Sequence, residues 1–206
     1  TVYVGQRRGN ASTSDFSEEA IAQTARAAFD IARFTAEDPF ASLPDLKDIA
    51  PVADRERDLD LFFPWAITSE DAMRLAQECE AAALGTSKKI TNSEGAAVSA
   101  QQSHFFSAHT HGFRGGYASS RHSMSVSPIA GKGRDMQRDA WYSSQRHPDA
   151  LASPHAIGRY AAERALSRLK ARKIHTVECP VLFESPLAAG LVGPLVQALS
   201  GGALYR

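Results

Sequence analysis

The stretch "HFFSAHTHG" places His104, His109 and His111 within eight residues, and His122 follows in the same polar region. Side chains alternate along an extended strand, so His109 and His111 would share a face and His104 would point the other way. An HxH pair can begin a zinc site, but zinc takes three or four convergent ligands. No carboxylate or third ligand stands at a matching interval. Two readings therefore fit the residues: a metal site on His104, His109 and His111, or solvated histidines on a strand. Ser120, Ser123 and Ser125 lie among these histidines, but a Ser–His pair is defined by geometry rather than by spacing. The sequence has no GxSxG elbow, no GxGxxG turn and no GxxxxGK[ST] loop.

A second constellation is the basic run Arg164, Arg168, Lys170, Arg172 and Lys173. On a helix several of these share a face and can meet phosphates, or they can simply oppose the negative end of the helix dipole. No aromatic residue is interleaved for base stacking. Over the whole chain 23 Lys and Arg balance 23 Asp and Glu, so no global field attracts a polyanion. Cys79 and Cys179 form no CxxC pair, which argues against a disulfide framework and fits a reducing cytoplasm. Cys79 falls on the apolar stripe of a helix and reads as core. No apolar run reaches the ~18–20 residues needed to span a bilayer.

The elements that would position these groups follow from local signals. Val2 and Val4 alternate in a short strand, and a turn follows at Arg7–Asn10. Ser17 is a helix N-cap with Glu18 and Glu19 in the first turn, Phe16 can staple onto Ile21, and Ile21, Ala25, Ala28, Phe29 and Ala32 form the stripe. Residues 40–64, rich in Pro and Asp, read as a linker. Thr68 caps a second helix with Asp71 as its capping partner, and Gly85 ends it. Residues 88–146 read as a Ser-rich antiparallel meander that lies across a groove or pairs with another subunit. Ser153, with Pro154 at N1, starts a third helix running to about Ala171. A strand is expected at Cys179–Phe183, then a helix over 186–199 that Gly201-Gly202 would stop. Its polar groups near the end are Gln197 and Ser200, and Pro194 weakens its interior. The predicted class is α+β, an antiparallel meander with flanking helices. The expected domains are the end of an α/β unit (1–38), a linker (39–67), a central α+β domain (68–175) and the start of a C-terminal domain (176–206). The chain opens in a strand and closes just past a helix, which reads as truncation at both ends.

The segments "VYVGQRRGNAS", "KKITNSEGA", "GYASSRHSMS", "RDMQRDAWY", "ALSRLKARKI" and "SGGALYR" resemble the TldD/PmbA family, and within it the PmbA (TldE) branch. The resemblance runs in order through essentially the whole chain. It implies a cytoplasmic role in proteolysis: two related subunits form a metallopeptidase that degrades unfolded peptides and trims leader peptides. In the TldD branch the zinc helix carries HExxxH. Here that motif would fall on residues 193–198, with Gly193 and Ala198 in place of the histidines and Pro194 in place of the glutamate. The resemblance thus implies no cofactor in this chain, zinc in a TldD-like partner subunit, and a binding rather than cleaving role. A homodimer is the other expected assembly, an extended peptide is the expected substrate, and neither nucleic acid nor membrane is an expected partner. The rival readings are a metal-dependent peptidase built on His104, His109 and His111, and a regulator associated with nucleic acid or DNA gyrase through the basic run.

Overall fold

The computed structural model describes residues 1–51 and 57–205. It divides into two compact units, Thr1–Leu169 and the segment from Lys170 onward. Residues 52–56 of the expected linker lie outside the described residues.

The first unit opens with a hairpin of β1 (Val2–Val4) and β2 (Arg7–Gly9), followed by helix α1 (Glu18–Phe34). Ser17 caps α1 by accepting the Ala20 N–H at 3.3 Å, satisfying one of the donors a helix start leaves open. The buried face of α1 is narrower than its stripe predicts: Ala28 and Ala32 are buried, whereas Phe16, Ile21 and Phe29 are exposed. The reason is the closeness of the hairpin. A Cβ on Gly9 would lie 1.9 Å from the Ala28 carbonyl oxygen and 2.6 Å from the Ala32 nitrogen. Backbone rests on backbone there, so small residues occupy the contact and the larger ones fall outside it. The staple between Phe16 and Ile21 does not form a buried contact.

The main body is a four-stranded antiparallel sheet covered on one face by two helices. Helix α2 (Ser69–Gly85) leads into β3 (Ile90–Ala108), β4 (Arg114–Ala130), β5 (Gln137–Arg138) and β6 (Trp141–Gln145), and helix α3 (Pro154–Ser167) closes it. Strand β4 is central, pairing with β3 along one side and with β6 and β5 in succession along the other. Its alternation is regular: Ser120, His122, Met124, Val126, Pro128 and Ala130 are buried, while Arg121 is exposed and the intervening serines are half-buried. Serine at every second position therefore marks the face away from the helices. Pro128 sits between the stretch paired to β6 and the stretch paired to β5, where its missing N–H breaks no ladder bond on that side.

Thr68 caps α2 through the Asp71 N–H at 3.1 Å, and Ser153 caps α3 through the Ala156 N–H at 3.2 Å. The core joins Cys79 and Ala83 of α2, Met124, Val126 and Ala130 of β4, and Ile157, Ala161, Ala162 and Ala165 of α3. Burial, and secondarily the charge of Glu80, raise the Cys79 thiol to about 11, so it stays protonated as core. Helix α3 stops at Ser167, earlier than Ala171, and Lys170 takes a left-handed φ of 62°.

In the second unit the expected strand at 179–183 does not form, and no neighbouring strand among the described residues offers it a ladder. Helix α4 (Ser185–Ala198) follows as expected, with Pro194 in its interior. Gly201-Gly202 does not end the chain's helical structure, because a short helix α5 (Gly201–Tyr205) begins there. No helix is long and apolar enough to cross a membrane among the described residues.

Candidate functional site

The structure separates the histidines. Strand β3 ends at Ala108, so His109 and His111 lie in the β3–β4 turn, not on a strand. The turn is closed by the His109 N–H on the Phe113 carbonyl (3.1 Å) and the Gly112 N–H on the His109 carbonyl (3.0 Å). The His109 and His111 rings are neighbours, with centroids 6.0 Å apart. His111 Nδ1–H donates to the Pro44 carbonyl at 3.0 Å, and the His109 ring stacks on Phe113 at 5.4 Å. His104 is about 16 Å of strand away from His109, at ~3.3 Å per residue. Its ring packs on Phe62 at 5.2 Å. Among the described residues no three His, Cys, Asp or Glu side chains form a group that would hold a metal ion.

His122 has a different task, shared with Ser120. Both are on the buried face of β4, at 0% and 2% exposure. Beyond the end of β6, residues 61–65 run along the same side of β4, where the Ser120 N–H donates to the Leu61 carbonyl at 3.0 Å. Ser120 Oγ accepts the Phe63 N–H at 2.9 Å and donates to the Arg146 carbonyl at 3.0 Å. His122 Nε2–H donates to the Phe63 carbonyl at 2.8 Å, which fixes the ring hydrogen on Nε2. Trp65 meets the ring edge-on at 5.4 Å. Thus both main-chain groups of Phe63 are held by side chains from one strand. Spacing alone gave no sign of this clasp; the only signal was two polar residues at i and i+2 on an otherwise apolar strand face.

The basic run is divided as well. Asp139 accepts a hydrogen bond from Arg168 Nε at 2.8 Å and forms an ion pair with Arg164, whose Nε stands 3.3 Å away. The Arg164 guanidinium also lies 5.0 Å from the centre of the Trp141 ring, which packs on Tyr160 at 4.6 Å. These two arginines tie α3 to the loop before β6. Burial pushes the Asp139 carboxyl up, but the Ala140 N–H, the Arg168 hydrogen bond and the two guanidinium charges outweigh it and hold it below its ordinary value. A depressed carboxylate stabilises the fold above its unfolded value of ~3.9 and loses that contribution as pH falls through the folded value. Asp139→Asn is therefore expected to cost about 1–3 kcal/mol at neutral pH. Paired thermal melts should show the gap between wild type and variant closing in acid.

The positions where the resemblance places the zinc motif lie on α4. Gly193 and Pro194 are in its second half and Ala198 is its last residue. Hydrogen, a pyrrolidine ring and a methyl group have no lone pair for a metal. A Cβ at Gly193 would have open space around it. The residues present on this helix do not fit zinc.

Residues 63–169 match the family described as PmbA/TldA metallopeptidase central domain. Metalloprotease PmbA of Escherichia coli O157:H7 is 43% identical over all 206 residues, and the Metalloprotease PmbA homolog of Haemophilus influenzae is 39% identical. The chain spans 45% of the length of each of these curated relatives. Among solved structures, a Bacteroides thetaiotaomicron protein described as a modulator of DNA gyrase superposes over 98% of this chain and 46% of its own, with a TM-score of 0.86 at 24% identity. TldE from Thermococcus kodakarensis superposes over 78% of this chain and 35% of its own, with a TM-score of 0.59 at 14% identity. These two likenesses establish the fold, an α+β arrangement of antiparallel sheet and helices. From the family match over more than half its length, the chain belongs to the PmbA/TldD metallopeptidase family.

Proposed function

We propose that this chain is part of a non-cleaving subunit in a TldD/PmbA-type metallopeptidase assembly, binding an unfolded or leader peptide and its partner subunit in the cytoplasm. The observation that carries this reading is helix α4, whose Gly193, Pro194 and Ala198 offer no ligand where the family resemblance places the zinc motif. Catalytic zinc requires three protein ligands and an open position for water. In this reading the metal belongs to a TldD-like partner, and a homodimer would leave the assembly without it. The rival peptidase on His104, His109 and His111 has less support, because His104 packs on Phe62 apart from the neighbouring His109 and His111 rings. A nucleic-acid role through the basic run is likewise less supported, since Arg164 and Arg168 are turned onto Asp139.

Reconstitution tests the proposal. The full-length protein and an HExxxH-bearing relative would each be assayed alone and then mixed, against an unfolded polypeptide. Cleavage should require the relative. Cleavage by this protein alone, lost in His109→Ala, would overturn the proposal in favour of the rival site.

A further inference from the structure

The end of the β3–β4 ribbon holds a cavity whose floor follows from the register. Phe105 pairs with Tyr117 and Ser107 with Gly115, and directly paired residues put their side chains on one face of a sheet. That face is the one away from the helices, because from Ser120 onward β4 buries its even-numbered residues against them. Gly115 contributes no side chain there, and the Phe113 ring lies over it. A Cβ on Gly115 would stand 2.9 Å from the Phe113 Cζ. The Phe105 and Tyr117 rings are 5.5 Å apart between centroids. Leu59 and Arg57, from the segment before α2, help to wall a cavity of about 340 Å³ around these three rings.

The lining is mostly aromatic and apolar, and its polar side chains are Arg57, Ser107 and Tyr117. Sites for small organic ligands have this composition and begin at about 300 Å³. Among the described residues no carboxylate pairs with Arg57. A second cavity of about 320 Å³ shares Ala50, Ser107 and Phe113 with the first. Arg57 lines only the first and Asp48 only the second, so an anion is matched on the Arg57 side. A guanidinium holds a carboxylate by two parallel hydrogen bonds, and aromatic walls suit a flat ring. We propose that this cavity binds a small aromatic monocarboxylate, with its ring among Phe105, Phe113 and Tyr117 and its carboxylate on Arg57. A free aromatic amino acid would bring its ammonium beside the same guanidinium, so the site prefers an acid without an α-amino group. The assignment does not depend on the peptide-binding reading above.

Calorimetric titration of the full-length protein tests the site with phenylacetate, its neutral amide phenylacetamide and the cationic benzylammonium. The acid should bind at least about ten-fold more tightly than the amide, and the cation should not bind. Arg57 is exposed, so Arg57→Gln should keep the fold and lower the acid to the level of the amide. Gly115→Ala should weaken acid and amide alike by several-fold. The three atoms nearest its new Cβ all belong to the Phe113 ring, which can give way into the cavity, and an unchanged melting temperature would confirm that the strand is intact. N-acetylalanylphenylalanine separates two sources of such an acid. Binding tighter than phenylacetate would name the carboxyl end of a peptide, and equal or weaker binding would name a free acid. Acid and amide bound alike, or an acid affinity unchanged in Arg57→Gln, would overturn the carboxylate assignment. No binding of any probe at about 10 mM would overturn the site itself.

Discussion

Gly158→Ala is expected to destabilise the first unit by about 2–3 kcal/mol, near the upper end of the usual overpacking range. On the α2–α3 contact, a Cβ at Gly158 would lie 2.2 Å from the Cys79 carbonyl oxygen and 2.9 Å from both the Ala82 Cβ and the Ala83 nitrogen. Two of these atoms are backbone, so relief requires moving a whole helix. In an unconstrained helix the same change stabilises by about 1 kcal/mol, and the clash must overcome that gain. The neighbouring core residues Ala161, Ala162, Ala165, Cys79 and Ala83 are all small, consistent with a close crossing. For a chain of this size the melting temperature should fall by roughly 4–12 °C, at about 2–4 °C per kcal/mol. Gly85→Ala is the matched control, since nothing lies within 4 Å of its added Cβ. Equal melting temperatures for the two variants would show that the helices are not in the contact described.

The second large effect falls on the clasp of residues 61–65. His122→Ala removes a fully buried ring and leaves the Phe63 carbonyl without its donor. The orphaned acceptor costs about 1–3 kcal/mol, and the space opened beside Trp65 adds to it. A total of about 3 kcal/mol is expected. Ser120→Ala should cost about 2 kcal/mol, because one hydroxyl serves both the Phe63 N–H and the Arg146 carbonyl. His122→Gln separates the two causes. Its amide can donate to the same carbonyl, so it should recover part of the loss. Hydrogen exchange at the Phe63 amide should accelerate in Ser120→Ala and much less in Asp139→Asn. Unchanged exchange at Phe63 in Ser120→Ala would mean that the segment is held by other contacts.

Features with local causes were legible in the sequence. The caps at Ser17, Thr68 and Ser153 depend on one side chain and one amide a few residues on, so the residue types alone reveal them. The antiparallel meander was legible from the Ser-rich, β-prone composition of residues 88–146. Failures arose where distant chain decides the outcome. Helix α1 has a broad apolar stripe, but the approach of Gly9 selects only Ala28 and Ala32. Residues 179–183 have strand-forming side chains but no partner strand among the described residues, and propensity does not supply a ladder. His109 and His111 share a face only along an extended strand, and the hairpin turn instead closes from His109 onward. The clasp was hidden for another reason, its one signal being the polar pair Ser120 and His122 on an apolar strand face. It joins side chains of β4 to the main chain of a segment without periodicity, and main-chain bonding leaves no trace in residue types. For the candidate site, the lack of histidine and glutamate at residues 193, 194 and 198 was readable directly, whereas the place of His109 and His111 in the β3–β4 turn required the strand bounds.

The central claim, that the chemistry resides in a partner and not in this chain, is tested most directly by metal stoichiometry. The protein and its HExxxH-bearing relative would be purified separately, dialysed, acid-digested and measured by mass spectrometry. The account predicts about one zinc per relative and well under a tenth of an equivalent on this protein, with three or four ligands needed to hold it. One equivalent on this protein, abolished by His109→Ala, would contradict the account and make the β3–β4 turn a metal centre.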